Sequence, residues 1–119
     1  MNDLESLRAY INDRPGVTES FPFDNDTLVF KAGGKMFALI PIEREPLSVT
    51  LKCDPDRAQD LRAKYDDITG AYHMNKKHWN SIALTGRVPL AEVRALIEHS
   101  YELVVAGLPK KQQEALGLS

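Results

Sequence analysis

The string HMNKKHW gathers the side chains of this sequence that can do chemistry on an anion. Lys76 and Lys77 follow a turn-forming Asn75 and precede His78 and Trp79, the only tryptophan of the chain. Lysine ammonium groups bind phosphate oxygens, which supply most of the sequence-independent affinity of a protein for nucleic acid. Asn75 and His78 can add hydrogen bonds to a phosphate or to the edge of a base, and Trp79 can stack on a base. The string therefore predicts contact with a polyanion.

Charge is segregated along the chain around that string. Residues 68–91 contain three cations and no carboxylate, and the only charged residues within 27–42 are Lys31 and Lys35. The whole chain carries a net charge of −2, so the remaining sequence is acidic. A local field, rather than the net charge, draws a polyanion to one face of a protein. The pattern therefore adds Lys31 and Lys35 to the predicted contact surface.

Composition restricts the class of protein. A chain of 119 residues that is 43% hydrophobic suits one domain over residues 1–119, in which 109–119 are expected to form a loosely attached C-terminal helix or tail. The slightly negative net charge argues against a uniformly basic nucleic-acid binder but is compatible with a polarised one. A single cysteine excludes an internal disulfide, and neither a signal-peptide pattern nor a membrane-spanning apolar run is present. We expect a monomeric cytoplasmic protein without membrane contact.

Two hairpins are expected to position the lysines. Gly33-Gly34 accepts the positive φ angles of a tight turn, and strand-forming residues lie on either side of it, at 27–30 and 36–40. A second hairpin is predicted from strands at 71–74 and 78–84, so that Asn75, Lys76 and Lys77 lie near its turn. Between the two hairpins, an alternating strand at 47–53 is expected to bury Cys53 and to expose Lys52.

Helical patterns complete the order of elements. A short amphipathic helix near the N-terminus ends at Pro15-Gly16, Asp54-Pro55 begins a second helix, and Pro89 begins a long one that ends near Gly107. The resulting order is α-β(several)-α-β-β-α with hairpin connections. This order predicts an α+β domain in which a largely antiparallel sheet carries helices on one face.

Four short blocks of this sequence resemble the MmcQ/YjbR family of small bacterial proteins. They are FKAGGKMFAL, MNKKHW, HSYELV and LPKK, and the resemblance runs from about Leu4 to Lys111. It implies a CyaY-like fold, an antiparallel sheet backed by helices. It also implies DNA binding, because two protruding hairpins in such proteins resemble a double wing. The two hairpins predicted from the pattern fall where those wings would lie.

Other interpretations of the same residues remain open. Lysines at hairpin tips are commonly solvated and protect sheet edges, and a lone tryptophan in a strand is more often part of the core. His73 and His78 are too few for a zinc site, since Cys53 is expected on another strand, and we expect neither metal nor cofactor. Ser81, Ser100 and His99 lack a motif that would frame a nucleophile, so we expect no enzyme activity.

Three functions follow from these alternatives. The first is a non-enzymatic DNA-binding protein, whose contact residues would be Lys31, Lys35, Asn75, Lys76, Lys77, His78 and Trp79. The second is a protein-interaction or small-ligand module without a nucleic-acid role. The third is iron handling, by analogy with frataxin-like proteins, which would need a richer acidic ridge than Asp3, Glu5 and Asp13 provide.

Overall fold

The computed structural model describes residues 3–71 and 74–117. Its elements, in chain order, are α1 (Leu4–Asn12), β1 (Val17–Ser20), β2 (Thr27–Ala32), β3 (Lys35–Pro41), β4 (Ser48–Lys52), α2 (Pro55–Lys64), β5 (Ile68–Gly70), β6 (Trp79–Ala83), α3 (Leu90–Ala106) and α4 (Lys110–Ala115). This order confirms the one expected from the sequence. No helix in this part of the chain is long and apolar enough to cross a membrane.

The strands form one six-stranded antiparallel sheet in the order β1-β2-β3-β4-β6-β5. Ala38 of β3 pairs with Leu51 of β4, and Lys52 of β4 pairs with Trp79 of β6. The β2–β3 turn, the C-terminal end of β4 and the loop that precedes β6 therefore lie at the same end of the sheet. Connections far apart in sequence are brought together by this register.

The helices pack on one face of the sheet, as predicted. Alternate strand residues on this face join the inward side chains of the helices in one buried cluster, whose members include Leu7, Phe30, Ile40, Leu51, Leu61, Ile82 and Ile97. Burial of this apolar surface is the main contribution to the stability of the domain. The opposite face of the sheet carries no helix among the described residues, and we call it the open face.

Capping residues account for where the first two helices begin. The carboxylate of Asp3 accepts the backbone N–H of Ser6 at the start of α1, and that of Asp54 accepts the N–H of Arg57 at the start of α2. Both are the side-chain caps that orphan N–H groups require. Gly107 follows the last residue of α3, as expected, and its φ is −84°, so the chain leaves α3 without a left-handed residue.

The second hairpin differs from its prediction at one strand. β5 ends at Gly70, whereas the predicted strand covered 71–74, of which Tyr72 and His73 lie outside the described residues. Ala71 still donates its N–H to the carbonyl of Trp79, but its own carbonyl accepts the N–H of Met74 in a turn. Regular pairing ends because this carbonyl bonds within the loop. The pattern also gave no separate prediction for β1, a four-residue edge strand.

Candidate nucleic-acid interface

Five lysines share the end of the sheet that carries the β2–β3 turn and the loop before β6. We call it the basic end, and its lysines are Lys31, Lys35, Lys52, Lys76 and Lys77. Four of these five were predicted from the charge pattern as contact residues. The fifth, Lys52, was placed on the exposed side of its strand by alternation, but only the pairing of β4 with β6 brings it beside Trp79 and the second loop.

Two of the lysines point to the open face. Side chains alternate along a strand, and the neighbours of Lys31, which are Phe30 and Ala32, belong to the helix-side core. The neighbours of Lys52, Leu51 and Cys53, belong to the same core. Lys31 and Lys52 therefore project from the open face, and each is half-buried along its aliphatic stem, an arrangement that suits lysine.

The tip of the first hairpin packs against the chain that follows α3. Lys35 donates from Nζ to the carbonyl of Gly107 at 3.1 Å, which places a cation at the negative end of the helix. A Cβ atom built on Gly33, whose φ is +59°, would lie 2.6 Å from Cδ1 of Leu108. The turn needs glycine for its backbone angle and for this close approach. Lys35 is thus committed to a structural contact at the basic end.

Asn75 and His78 build the second loop. The Asn75 side chain accepts the N–H of Lys77 at 3.0 Å, and its carbonyl accepts the N–H of His78 at the same distance. Arg62 donates to the carbonyl of Lys76 at 3.1 Å and ties the loop to α2. The side chains of Lys76 and Lys77 remain exposed.

Trp79 belongs to a small second core on the open face. It is 9% exposed and packs with Val29, Leu39 and Ala71. The sequence favoured a core role for this tryptophan over base stacking, and its burial agrees with that interpretation.

The lysines of the basic end form no ion pair with a carboxylate within 3–71 and 74–117. Three ion pairs are found in this part of the chain, and arginine supplies the cation in each: Arg8–Glu19, Arg14–Glu98 and Arg87–Asp67. The lysines of the basic end therefore have no carboxylate within ion-pair distance in this part of the chain. One carboxylate of the open face, that of Asp24, accepts the backbone N–H groups of Asp26 and Thr27.

A cavity of about 550 Å³ lies on the open face, and we call it the trough. Its lining consists of Phe23, Asp24, Thr27, Met36, Leu39, Pro41, Arg44, Thr50, Thr69, Gly70, Ala71, Met74 and Ser81. The hydroxyls of Thr50 and Ser81 are 2.9 Å apart and share a hydrogen bond. The trough combines an apolar surface with a few polar groups, which is the usual composition of a ligand site. Sequence reasoning missed it because the lining comes from five strands and three loops.

Of the three residues considered for nucleophilic chemistry, Ser81 lines the trough, and Ser100 and His99 serve the fold. Ser100 is fully buried and bonded to backbone groups, since it accepts from Lys52 N–H and donates to the carbonyl of Phe37. His99 accepts the N–H of Asp54 at its Nε2, and burial lowers the pKa of this imidazole. Burial raises the pKa of the Cys53 thiol, which keeps it protonated near neutral pH.

The part of the chain that the structure describes holds no group of three or more histidine, cysteine or acidic side chains suited to a metal ion.

Comparison with known proteins identifies relatives over nearly the full chain. The YjbR family model matches residues 12–103. The uncharacterised protein YbdF of Escherichia coli O157:H7 is 37% identical over 92% of this chain and 90% of its own length. The uncharacterised protein YjbR of Escherichia coli strain K12 is 30% identical over 95% of this chain and 96% of its own length.

Solved structures show the same architecture. A crystal structure of a Deinococcus radiodurans protein with a DUF419 domain is 40% identical to this chain and superposes with a TM-score of 0.93, covering 100% of this chain and 91% of that one. A crystal structure of a Pseudomonas syringae protein is 29% identical with a TM-score of 0.72, covering 85% of this chain and 97% of that one. The α+β fold is therefore shared with both.

Proposed function

This chain belongs to the YjbR family, and we propose that it binds DNA, without catalysis, through the lysines of the basic end. The observation that carries the proposal is the strand register, which joins two loops far apart in sequence at one end of the sheet. The lysines there form no ion pair with a carboxylate among the described residues. A DNA ligand also fits the cytoplasmic location expected from the sequence.

Four lysines are available to phosphates under this proposal. Lys31 and Lys52 project from the open face, and Lys76 and Lys77 are exposed in the second loop. If each neutralises one phosphate, the slope of log K against log salt is about −3.6 for a duplex and about −2.8 for a single strand. Affinity then falls on the order of a hundredfold between about 50 and 200 mM salt.

Fluorescence anisotropy of labelled DNA across that range of salt tests the proposal. In the variant Lys76→Glu/Lys77→Glu, the slope falls to about half, and affinity drops by at least about tenfold for every sequence tested, since phosphate contacts carry no sequence information. The matched control is Lys64→Glu/Arg94→Glu, which makes the same change in net charge at exposed positions on α2 and α3. This control retains most of the affinity if the local field of the basic end is what binds.

Two results would count against DNA binding. One is the absence of binding at micromolar protein in low salt, and the other is equal weakening by the two charge-reversal variants. The rival function, a protein-interaction or small-ligand module, predicts a partner whose affinity survives Lys76→Glu/Lys77→Glu.

A further inference from the structure

We infer that the DNA held at the basic end is single-stranded and places unpaired bases in the trough, with Phe23 as a stacking platform. This inference rests on the proposed function and adds to it the form of the DNA and the surface that reads it.

The packing of the first hairpin disfavours entry into a duplex groove. A wing that reads base edges has to reach into a groove about 8 Å deep. Here Gly33 packs on Leu108, and Lys35 is bonded to Gly107. The second loop is likewise tied to α2 through Arg62 and Lys76. Both tips are anchored by these contacts, so we expect the cations to bind the backbone of a strand rather than to carry a hairpin into a groove.

The trough has the size and chemistry for unstacked bases. Its volume of about 550 Å³ falls within the usual range for ligand sites. Along β3, its lining runs from Met36 to Pro41, a length of about 17 Å at the rise of a strand. Leu39 offers apolar contact, and the Thr50–Ser81 hydroxyl pair offers hydrogen bonds. The bases of a duplex are paired and stacked inside the helix, so only a single strand can place them here.

An exposed aromatic residue lies at the trough, beside the start of β2 and so at the end of the trough opposite the basic end. Phe23 lines it and is 64% exposed, which is the highest exposure among the large apolar side chains of the described residues. Single-strand binders stack bases on such side chains, because every base has a π-face. Phe21 lies two residues earlier and is 45% exposed, but it does not line the trough. The two phenylalanines thus form a matched pair.

Two lysines of the basic end flank the trough on the open face. Lys31 pairs in register with Met36, which lines the trough. Lys52 lies two residues beyond Thr50 on the same face of β4. A strand whose phosphates meet these lysines has its bases beside the apolar lining. The lining itself holds one carboxylate, Asp24, which is bonded to backbone N–H groups, and one guanidinium, Arg44. The two flanking lysines therefore favour an anionic polymer with planar bases over an uncharged apolar peptide.

The test compares two labelled probes, an oligothymidine of about 15 nucleotides and a duplex of the same length, by anisotropy at several salt concentrations. Wild-type protein is expected to bind the single strand at least about tenfold more tightly. Phe23→Ala is expected to weaken binding of the single strand by about 5- to 100-fold and to leave duplex binding unchanged. Phe21→Ala leaves both affinities unchanged. Because both side chains are exposed, both variants are expected to fold, which thermal unfolding checks.

The failure of this inference can be distinguished from failure of the proposed function. Equal, salt-dependent affinity for both probes with no effect of Phe23→Ala overturns the single-strand inference and leaves DNA binding at the basic end in place. Binding of neither probe overturns both. Equal losses in Phe23→Ala and Phe21→Ala overturn the role of the trough.

Discussion

The hydroxyl of Ser100, in the middle of α3, accepts a hydrogen bond from the backbone N–H of Lys52 at 2.9 Å. The same hydroxyl donates to the carbonyl of Phe37 on β3, so one atom joins the long helix to two strands at the basic end. Its neighbours act alongside it, since His99 accepts the N–H of Asp54 and Tyr101 donates to the carbonyl of Pro15. Within the HSY triplet, Ser100 therefore holds α3 to the sheet, His99 holds it to the start of α2, and Tyr101 holds it to the loop that follows α1.

Ser100→Ala is expected to destabilise the protein by about 1–3 kcal/mol, because it leaves the part-buried N–H of Lys52 and the buried carbonyl of Phe37 without their partner. The free energy of unfolding from urea denaturation measures this. Ser6→Ala is the matched control, because its hydroxyl bonds to Asp3 at an exposed helix start. Ser6→Ala keeps the hydrogen bond from the backbone N–H of residue 6 to Asp3, and the free energy of unfolding is expected to change by no more than about 0.5 kcal/mol. Equal effects of the two substitutions would refute the role given to Ser100.

Stability is expected to fall as the solution is acidified through the titration of His99. Burial lowers the pKa of this imidazole in the folded protein, whereas in the unfolded chain it is near the ordinary value of about 6.5. Between these two pKa values the unfolded chain binds the extra proton, so the contribution is complete above about 6.5 and is lost as pH falls toward the folded pKa. Protonation also removes the Nε2 acceptor that Asp54 uses.

Urea denaturation of wild type and His99→Gln at several pH values between about 5 and 8 isolates this effect. The difference in unfolding free energy between the two proteins should shrink as pH falls below about 6.5. A difference that stays constant over this range would mean that His99 titrates alike in both states.

Periodicity and end signals predicted the helices well because these features are local. Asp54-Pro55 begins α2 and Pro89 precedes α3, as the sequence indicated. The inward position of Cys53 also followed from the alternation of a single strand. The fold class could be predicted from these elements and their order alone.

Prediction of the candidate site would have required information that no local sequence pattern contains. Lys52 joins the basic end only because β4 pairs with β6, and no periodicity of either strand encodes that pairing. The structural contact of Lys35 depends on where α3 ends, which is 72 residues away in the chain. The trough is assembled from loops and from five of the six strands, so its lining shares no motif. Charge patterning found the lysines, and tertiary packing decides which of them are available.

The two glycines of the first hairpin turn are expected to differ in their tolerance of alanine. Both have positive φ, +59° at Gly33 and +82° at Gly34, so each alanine costs about 1–2 kcal/mol of backbone strain. A Cβ at Gly33 also meets Leu108, which is buried, whereas nothing lies within 4 Å of a Cβ at Gly34. Gly33→Ala should therefore be more destabilising than Gly34→Ala by about 1–3 kcal/mol, measured by urea denaturation. Equal losses of stability would mean that the Leu108 side chain moves away from the added methyl group at no cost.

Substitution of Trp79 is expected to change stability and not DNA contact. Its indole packs with Val29, Leu39 and Ala71 and is only 9% exposed, so Trp79→Ala should cost about 3–5 kcal/mol. Trp79→Phe keeps most of the apolar volume and should remain folded. In that variant we expect the affinity for DNA to stay within about twofold of wild type, because bases stack on accessible aromatic faces. Urea denaturation and anisotropy on the same samples separate the two effects. A tenfold or greater loss of affinity in a fully folded Trp79→Phe protein would instead make the indole a base-stacking residue, as its place beside the lysines in the sequence first suggested.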